Sequence, residues 1–286
     1  MIESVITLLR PYQYIKNFFI FLPFFFGLKG FNVNLIYQLV FTFIAFSSVA
    51  SAIYIFNDII DIKHDRAHPI KKHRPLASGQ LSIKVATILG IGLICFGLFI
   101  ACIQNVWFSF LLYICLNILY SLKLKHIPII DVFIIAIGFV IRLVIGSSVS
   151  NVELSMWIVI MTFLLALFLA FSKRKGDLVN LNGQSQARPV LDEYTQEFLS
   201  ICMAIMGSVV IVAYIMYTTS ATVIAYTNSN YVYATSIFVV FGILRYLKIT
   251  FYDQTTGNPT KVLIYDIWLQ LSILFWLLSF AILLYR

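Results

Sequence analysis

Asn57-Asp58-Ile59-Ile60-Asp61-Ile62-Lys63-His64-Asp65 follows without a break on the apolar run 35–56, and that junction decides the fold. The run is long enough to cross a bilayer as a helix, because a span takes about 20 apolar residues. If the helix continues through the acids, Asp58, Asp61 and Asp65 stand at i, i+3 and i+7 and share one face. Three carboxylates on one face repel one another unless a cation lies between them. Mg2+ suits such a place, since it takes oxygen ligands and usually combines one or two carboxylates with substrate phosphate oxygens. The chain goes on Arg66-Ala67-His68-Pro69-Ile70-Lys71-Lys72-His73-Arg74-Pro75. A metal together with Arg and Lys is how proteins hold a diphosphate and stabilise its departure. Acidic helix caps and basic membrane anchors would be the plainer account. Carboxylates in register, with Arg66, Lys72 and Arg74 immediately behind them, favour a site.

Working outward, further apolar runs of spanning length flank this junction. Nine are found, at 14–28, 35–56, 83–103, 106–122, 127–148, 156–171, 198–219, 231–247 and 262–284. The composition agrees: 61% of the 286 residues are hydrophobic and 11% are charged, against roughly 25% charged in soluble domains. A water-soluble fold could not cover so much apolar surface, so lipid is the solvent. An all-α integral membrane protein of about nine helices is expected, with residues 1–286 as a single membrane domain.

The net charge of +8 is not a nucleic-acid footprint, because the basic residues fall in short loops between apolar runs. With the N-terminus inside, all but three of the 20 Lys and Arg lie on the inner side. Only Lys29 and Arg286 fall outside, and Arg142 lies within a span. This is the positive-inside pattern, and it predicts a cytoplasmic N-terminus and a cytoplasmic site. Cys95, Cys102, Cys115 and Cys202 sit in apolar runs without CxxC spacing and read as small buried hydrophobes. His64, His68 and His73 fit no common zinc spacing, and no Ser-His-Asp, Walker or GxGxxG arrangement occurs.

Other polar stretches face the same side. Tyr120-Ser121-Leu122-Lys123-Leu124-Lys125-His126 ends the fourth run, and Phe171-Ser172-Lys173-Arg174-Lys175-Gly176-Asp177 ends the sixth. Arg10-Pro11-Tyr12-Gln13-Tyr14-Ile15-Lys16-Asn17 brings two cations and an amide to the start of the first, where Pro11 suits a first helical turn. An intramembrane arginine such as Arg142 is costly and needs a partner or a polar cavity. Asp131, three turns earlier, is one partner on offer.

The nine runs, Asn57-Asp58-x-x-Asp61-x-x-x-Asp65 after the second and Tyr120-Ser121 after the fourth resemble the UbiA superfamily of membrane prenyltransferases over nearly the whole chain. The resemblance implies a helical bundle around a central cavity, a lateral opening for a polyprenyl chain, and Mg2+ on Asp-rich motifs holding a diphosphate. Aromatic prenyltransferases of the superfamily carry a second Asp-rich motif after the sixth helix, where this sequence has Lys173-Arg174-Lys175-Gly176-Asp177. That exchange is awkward for a second metal and suits direct binding of phosphate. Arg10-Pro11-x-Gln13-x-x-Lys16-Asn17, the Arg66 to Pro75 run, Arg188, Tyr194-Thr195 and Gly257-x-Pro259-Thr260 are similar to one branch, the decaprenyl-phosphate phosphoribosyltransferases.

The branch implies transfer of 5-phosphoribosyl from phosphoribosyl diphosphate to a polyprenyl phosphate, in a bacterial cytoplasmic (inner) membrane. The resemblance gives Asp58, Asp61 and Asp65 the metal and the catalytic role. Lys16, Asn57, Arg66, Lys72, Arg74, Tyr120, Lys123, Arg142, Lys173 and Arg174 are the expected substrate contacts. An aromatic prenyltransferase and a membrane transporter are the competing readings. The missing second Asp motif weighs against the first. The absence of paired broken helices in an inverted repeat weighs against the second.

Overall fold

The computed structural model describes residues 2–27, 32–67, 71–180, 189–253 and 259–284. Every regular element among them is a helix. Lys29, His68, Arg188, Gly257 and Arg286 lie outside the described residues. Six helices are long and apolar enough to cross a membrane, and a bent pair would make a seventh. The remaining two of the nine apolar runs are also helical but short. The chain divides into two compact units, Met1–Leu154 with Ser185–Val190, and Ser155–Gln184 with Leu191–Arg286.

The first unit opens with α1 (Ile2–Leu9), a 3-10 helix (Pro11–Phe21) and α2 (Leu22–Phe26). The long α3 (Val33–Ile60) follows, then α4 (Ile62–Ala67), α5 (Ile83–Ile103), α6 (Trp107–Leu122) and α7 (Ile130–Ser150). The side chain of Asn32 caps α3 by accepting from the amides of Asn34 and Leu35, and Ser82 caps α5 through the amide of Val85. Such caps satisfy amide groups that the first turn leaves without partners. The core holds Ile20, Leu39, Phe46, Val49, Phe110, Tyr113, Ile141 and Ile145. Small residues set how closely the helices approach. A Cβ on Gly146 would collide with the carbonyl of Ile20, and one on Gly97 would lie 2.8 Å from the carbonyl oxygen of Ala45. Without a strong hydrophobic drive between helices in lipid, such close backbone contact is a main source of cohesion.

The first apolar run is not the α-helix that its hydropathy suggests. Eleven residues of 3-10 helix are unusual, since the form is rarely longer than three or four residues. Its pairing with α3 supplies a reason. The Tyr14 hydroxyl meets Ser51 Oγ at 2.8 Å, and Asn17 Nδ2 donates to Ser47 Oγ at 2.8 Å. Three residues of 3-10 helix rise about 6 Å, as do four residues of α-helix. The steps from 14 to 17 and from 51 to 47 therefore match, and an α-helical segment would fall out of register at the second rung.

The second unit contains α8 (Met156–Asn180), α9 (Gln196–Thr218), α10 (Ala221–Thr227), α11 (Ser236–Lys248), α12 (Pro259–Tyr265) and α13 (Ile267–Leu284). The sixth apolar run was expected to end near 171. The helix instead runs on to Asn180, so the basic stretch is helical. The ninth run is broken, with α12 and α13 bent by 82°. The cause is Asp266. Its carboxylate accepts from Arg245 Nη2 at 2.6 Å and from the Leu269 amide at 2.9 Å, capping α13. The cysteines also need correction. Cys95, Cys102 and Cys115 are exposed on the protein surface and Cys202 is partly so. In lipid an apolar run does not distinguish an inward face from an outward one.

Candidate functional site

The acidic junction lies at the C-terminal end of α3, all within the first unit. The helical hydrogen bonding nearly continues past Ile60, with the Asp61 amide on the Asn57 carbonyl at 2.9 Å and that of Asp65 on Asp61 at 2.8 Å. The three acids nevertheless part company. Asp58 and Asp65 are buried, and Arg74 Nη1 donates to Asp58 Oδ1 at 3.0 Å and to Asp65 Oδ2 at 2.7 Å. Asp61 turns aside. Its Oδ1 accepts from Lys125 Nζ at 2.6 Å and its Oδ2 from Asn57 Nδ2 at 3.1 Å.

Arg10 completes the array. Its Nη2 donates to both oxygens of Asp58, at 2.6 and 2.8 Å, and its guanidinium lies over the Tyr54 ring. Arg10 has a left-handed backbone, φ 55 and ψ 56. That region costs a non-glycine residue roughly 1 kcal/mol, and here it makes the turn from α1 into the 3-10 helix. Arg74 is delivered by a short buried loop. Leu76 packs with Leu8, Ile55, Leu81 and Ala86 beneath it, and burying one leucine side chain contributes about 2 kcal/mol. Arg66 lies close by but exposed, its Nε donating to the Ala77 carbonyl at 3.2 Å. Lys72 and Lys123 are exposed, and Tyr120 is half-buried.

The donor set can be tested against Mg2+. Two carboxylate oxygens from residues seven apart in the chain already converge on one cationic atom, Arg74 Nη1. Among the described residues no three acidic, His or Cys side chains gather closely enough to hold an ion by themselves. Asp58 and Asp65 thus fit a Mg2+ that draws its remaining ligands from substrate phosphate and water. Asp61, tied to Lys125, is a step removed from that pair.

Deeper in the same unit, Arg142 is almost fully buried in α7. Its Nε donates to Asn17 Oδ1 at 2.9 Å, Nη1 to the Gly138 carbonyl at 2.6 Å and Nη2 to the Tyr113 hydroxyl at 3.4 Å. The guanidinium lies over the rings of Phe46, Tyr113 and Phe139 at 4.8, 5.1 and 5.3 Å. The charge is met by neutral dipoles and ring faces, and not by the Asp131 carboxylate that spacing offered. Lys16, next to Asn17, is half-buried.

In the second unit the basic end of α8 turns inward. Arg174 is 1% exposed, with Nη1 3.5 Å from Asp177 Oδ2. Lys175 is buried as well. Its Nζ donates to Ser200 Oγ at 2.7 Å and lies 3.4 Å from the centre of the Phe251 ring. Lys173 is half-buried. One turn earlier, Ser172 Oγ lies 3.3 Å from both the Tyr246 and Thr250 hydroxyl oxygens.

Sequence reasoning overlooked two members of the array as site residues, Arg10 and Lys125. Arg10 stands in a stretch similar to one branch but reads, with Lys125, as a cation at the end of an apolar run, which marks an anchor equally well.

The chain resembles known proteins in sequence and in fold. The UbiA prenyltransferase family matches residues 18–271. The chain is 30% identical over 228 residues to a decaprenyl-phosphate phosphoribosyltransferase of Corynebacterium glutamicum, covering 75% of this chain and 67% of that protein. It is 26% identical over 286 residues to the protein of the same name from Mycobacterium tuberculosis H37Rv, covering 97% and 93%. Among solved structures it is similar to a UbiA homolog from Archaeoglobus fulgidus bound to DMAPP and Mg2+. The TM-score there is 0.72 at 19% identity, over 97% of this chain and 98% of that one. The complex of a UbiA homolog from the same organism with GPP and Mg2+ gives 0.72 at 20% identity, over 98% and 99%.

Proposed function

Because this chain belongs to the UbiA prenyltransferase family, we propose that it transfers 5-phosphoribosyl from phosphoribosyl diphosphate to a polyprenyl phosphate, the whole chain acting as one membrane domain. The observation that carries this reading is the basic end of α8, where buried Arg174 and Lys175 with half-buried Lys173 stand in place of a second carboxylate cluster. Cations there favour a reaction whose substrates both bear phosphate over one with a neutral aromatic acceptor. The names of the two phosphoribosyltransferase relatives point the same way.

In the proposed reaction an oxygen of the acceptor phosphate attacks the ribose anomeric carbon. The bond from that carbon to the diphosphate oxygen breaks, and the diphosphate leaves with the electron pair. The ring passes through oxocarbenium character, as in other glycosyl transfers. The nucleophile is already an anion, so no general base is required. Mg2+ held by Asp58 and Asp65 would neutralise the departing diphosphate. Arg10 and Arg74, fixed on those carboxylates, would add donors to the same oxygens and would fill the space when the donor has gone. Water must be kept from the ribosyl group during transfer, since it would otherwise compete with the acceptor.

The test is direct. Purified protein with Mg2+, polyprenyl phosphate and phosphoribosyl diphosphate labelled in the ribose should move label into an organic-extractable lipid. Label that stays in the water phase, while a prenyl diphosphate alkylates an aromatic acid, would replace this reading with the aromatic one. The asymmetry of Lys and Arg supports a cytoplasmic N-terminus in a bacterial inner membrane. Cysteines introduced in 220–230 should then react with an impermeant reagent from outside and those in 71–78 should not; the reverse pattern would invert the topology.

A further inference from the structure

Charges in the first unit can be matched one against another. Asp58 and Asp65 are met by Arg10 and Arg74, and Asp61 by Lys125. Two cations that are buried or half-buried, Arg142 and Lys16, stand outside these pairs. Arg142 has no carboxylate within ion-pair distance among the described residues, its partners being an amide, a backbone carbonyl and a phenol. Lys16 makes no hydrogen bond or ion pair with any described residue. The charges that bear on it are themselves positive, those of Arg142 and Arg10. Two positive groups inside a membrane domain with no counter-charge are unfavourable. The structure holds them together all the same, because the Gly146 contact with Ile20 seats the 3-10 helix tightly on α7.

From these observations we infer that Lys16 and Arg142 form an anion subsite separate from the Asp58–Asp65 array, and that it receives the phosphate of the lipid acceptor. The inference rests on the phosphoribosyl-transfer reading for the acceptor's identity, but not for the presence of the subsite. Depth argues for a lipid phosphate over a free one. Arg142 lies twelve residues into α7, which is about 18 Å of helix. Its guanidinium lies over the buried rings of Phe46, Tyr113 and Phe139. An anion delivered on a hydrocarbon chain reaches such a place with less desolvation than a soluble one. Separation argues for a second site. Lys16 is six residues along the chain from Arg10, about 12 Å of 3-10 rise. Nucleophile and leaving group, both anionic, would thereby each have their own cations.

The full-length protein in detergent, without donor and without Mg2+, provides a test independent of catalysis. The probes are dodecyl phosphate, dodecanol and inorganic phosphate, and the readout is the thermal unfolding midpoint as a function of probe concentration. Dodecyl phosphate should raise the midpoint of the wild type and of Lys84→Met, a change at an exposed position, alike, with dodecanol and inorganic phosphate doing far less. Lys16→Met keeps the length of the side chain and removes its charge. It should weaken the apparent affinity for dodecyl phosphate by about tenfold to a hundredfold, the factor carried by one charge-assisted hydrogen bond, and so should Arg142→Lys in part. In turnover, Lys16→Met should raise KM for the lipid by a similar factor and leave KM for the donor unchanged. An unaltered response in Lys16→Met would overturn the subsite. An equal response to inorganic phosphate and dodecyl phosphate would overturn the lipid assignment. If dodecyl phosphate binds as expected but no phosphoribosyl transfer is found, the subsite stands and the reaction falls.

Discussion

Each unit buries an arginine, in different company. Arg142 of the first unit sits among ring faces and neutral dipoles, with no carboxylate among its hydrogen-bond partners. Arg174 of the second unit has a carboxylate three residues along its own helix, Asp177 at 3.5 Å. An anion approaching Arg142 meets a charge that nothing negative has claimed. One approaching Arg174 must compete with Asp177. The contrast separates a guanidinium kept ready for a ligand from one whose charge is partly answered in place. It also shows why counting basic residues at a membrane face says little about which of them bind substrate.

The sharpest way to break the contrast is to remove the carboxylate that organises the first unit. Asp58→Asn leaves Arg10 and Arg74 without their shared anion and removes one of two converging metal ligands. Two charge-assisted contacts at about 1.5–3 kcal/mol each correspond to a loss of roughly a hundred- to ten-thousandfold in transfer rate, with the protein still inserted. Chelation of Mg2+ should reduce the wild type at least as far. Full activity in chelator would remove the metal from the reaction. A smaller effect is expected in the second unit. Lys173→Ala and Arg174→Ala should each weaken the use of one substrate by about tenfold to a hundredfold, and kinetics with both substrates varied would detect it. Asp177→Asn should do the opposite and lower KM for that substrate, because it frees Arg174 from its neighbour. If all three leave the kinetics unchanged, the basic end of α8 is a membrane anchor. Lys175→Met should show the smallest change in rate. Lys175 is committed to Ser200 and the Phe251 ring, and losing one such hydrogen bond costs about 1 kcal/mol of stability.

Much of the fold was legible in the sequence, because the bilayer imposes one length on every span and hydropathy reports it. The acidic junction was legible too, since a polar stretch fused to an apolar helix has few structural excuses. Partners were harder to read. Arg10 and Asp58 are 48 residues apart, and the spacing of the acids gave no hint that Asp61 would turn to Lys125 while Asp58 and Asp65 shared Arg74. The break at Asp266 was missed because one acid barely lowers the hydropathy of a long window. The 3-10 form of the first run was invisible for another reason, since it is dictated by what lies beside it rather than by its own residues.

That 3-10 helix sets a rule for what can be exchanged between related chains. It is laid against α3 like one scale of a vernier against another, graduated in threes on one side and in fours on the other. Tyr14 and Asn17 on one scale coincide with Ser51 and Ser47 on the other. An insertion of one residue between positions 14 and 17 would shift the second mark and carry Lys16 and Asn17 away from Arg142. A chimera that lengthens this segment and keeps Asn17 on Arg142 must therefore add three residues here for every four added to α3.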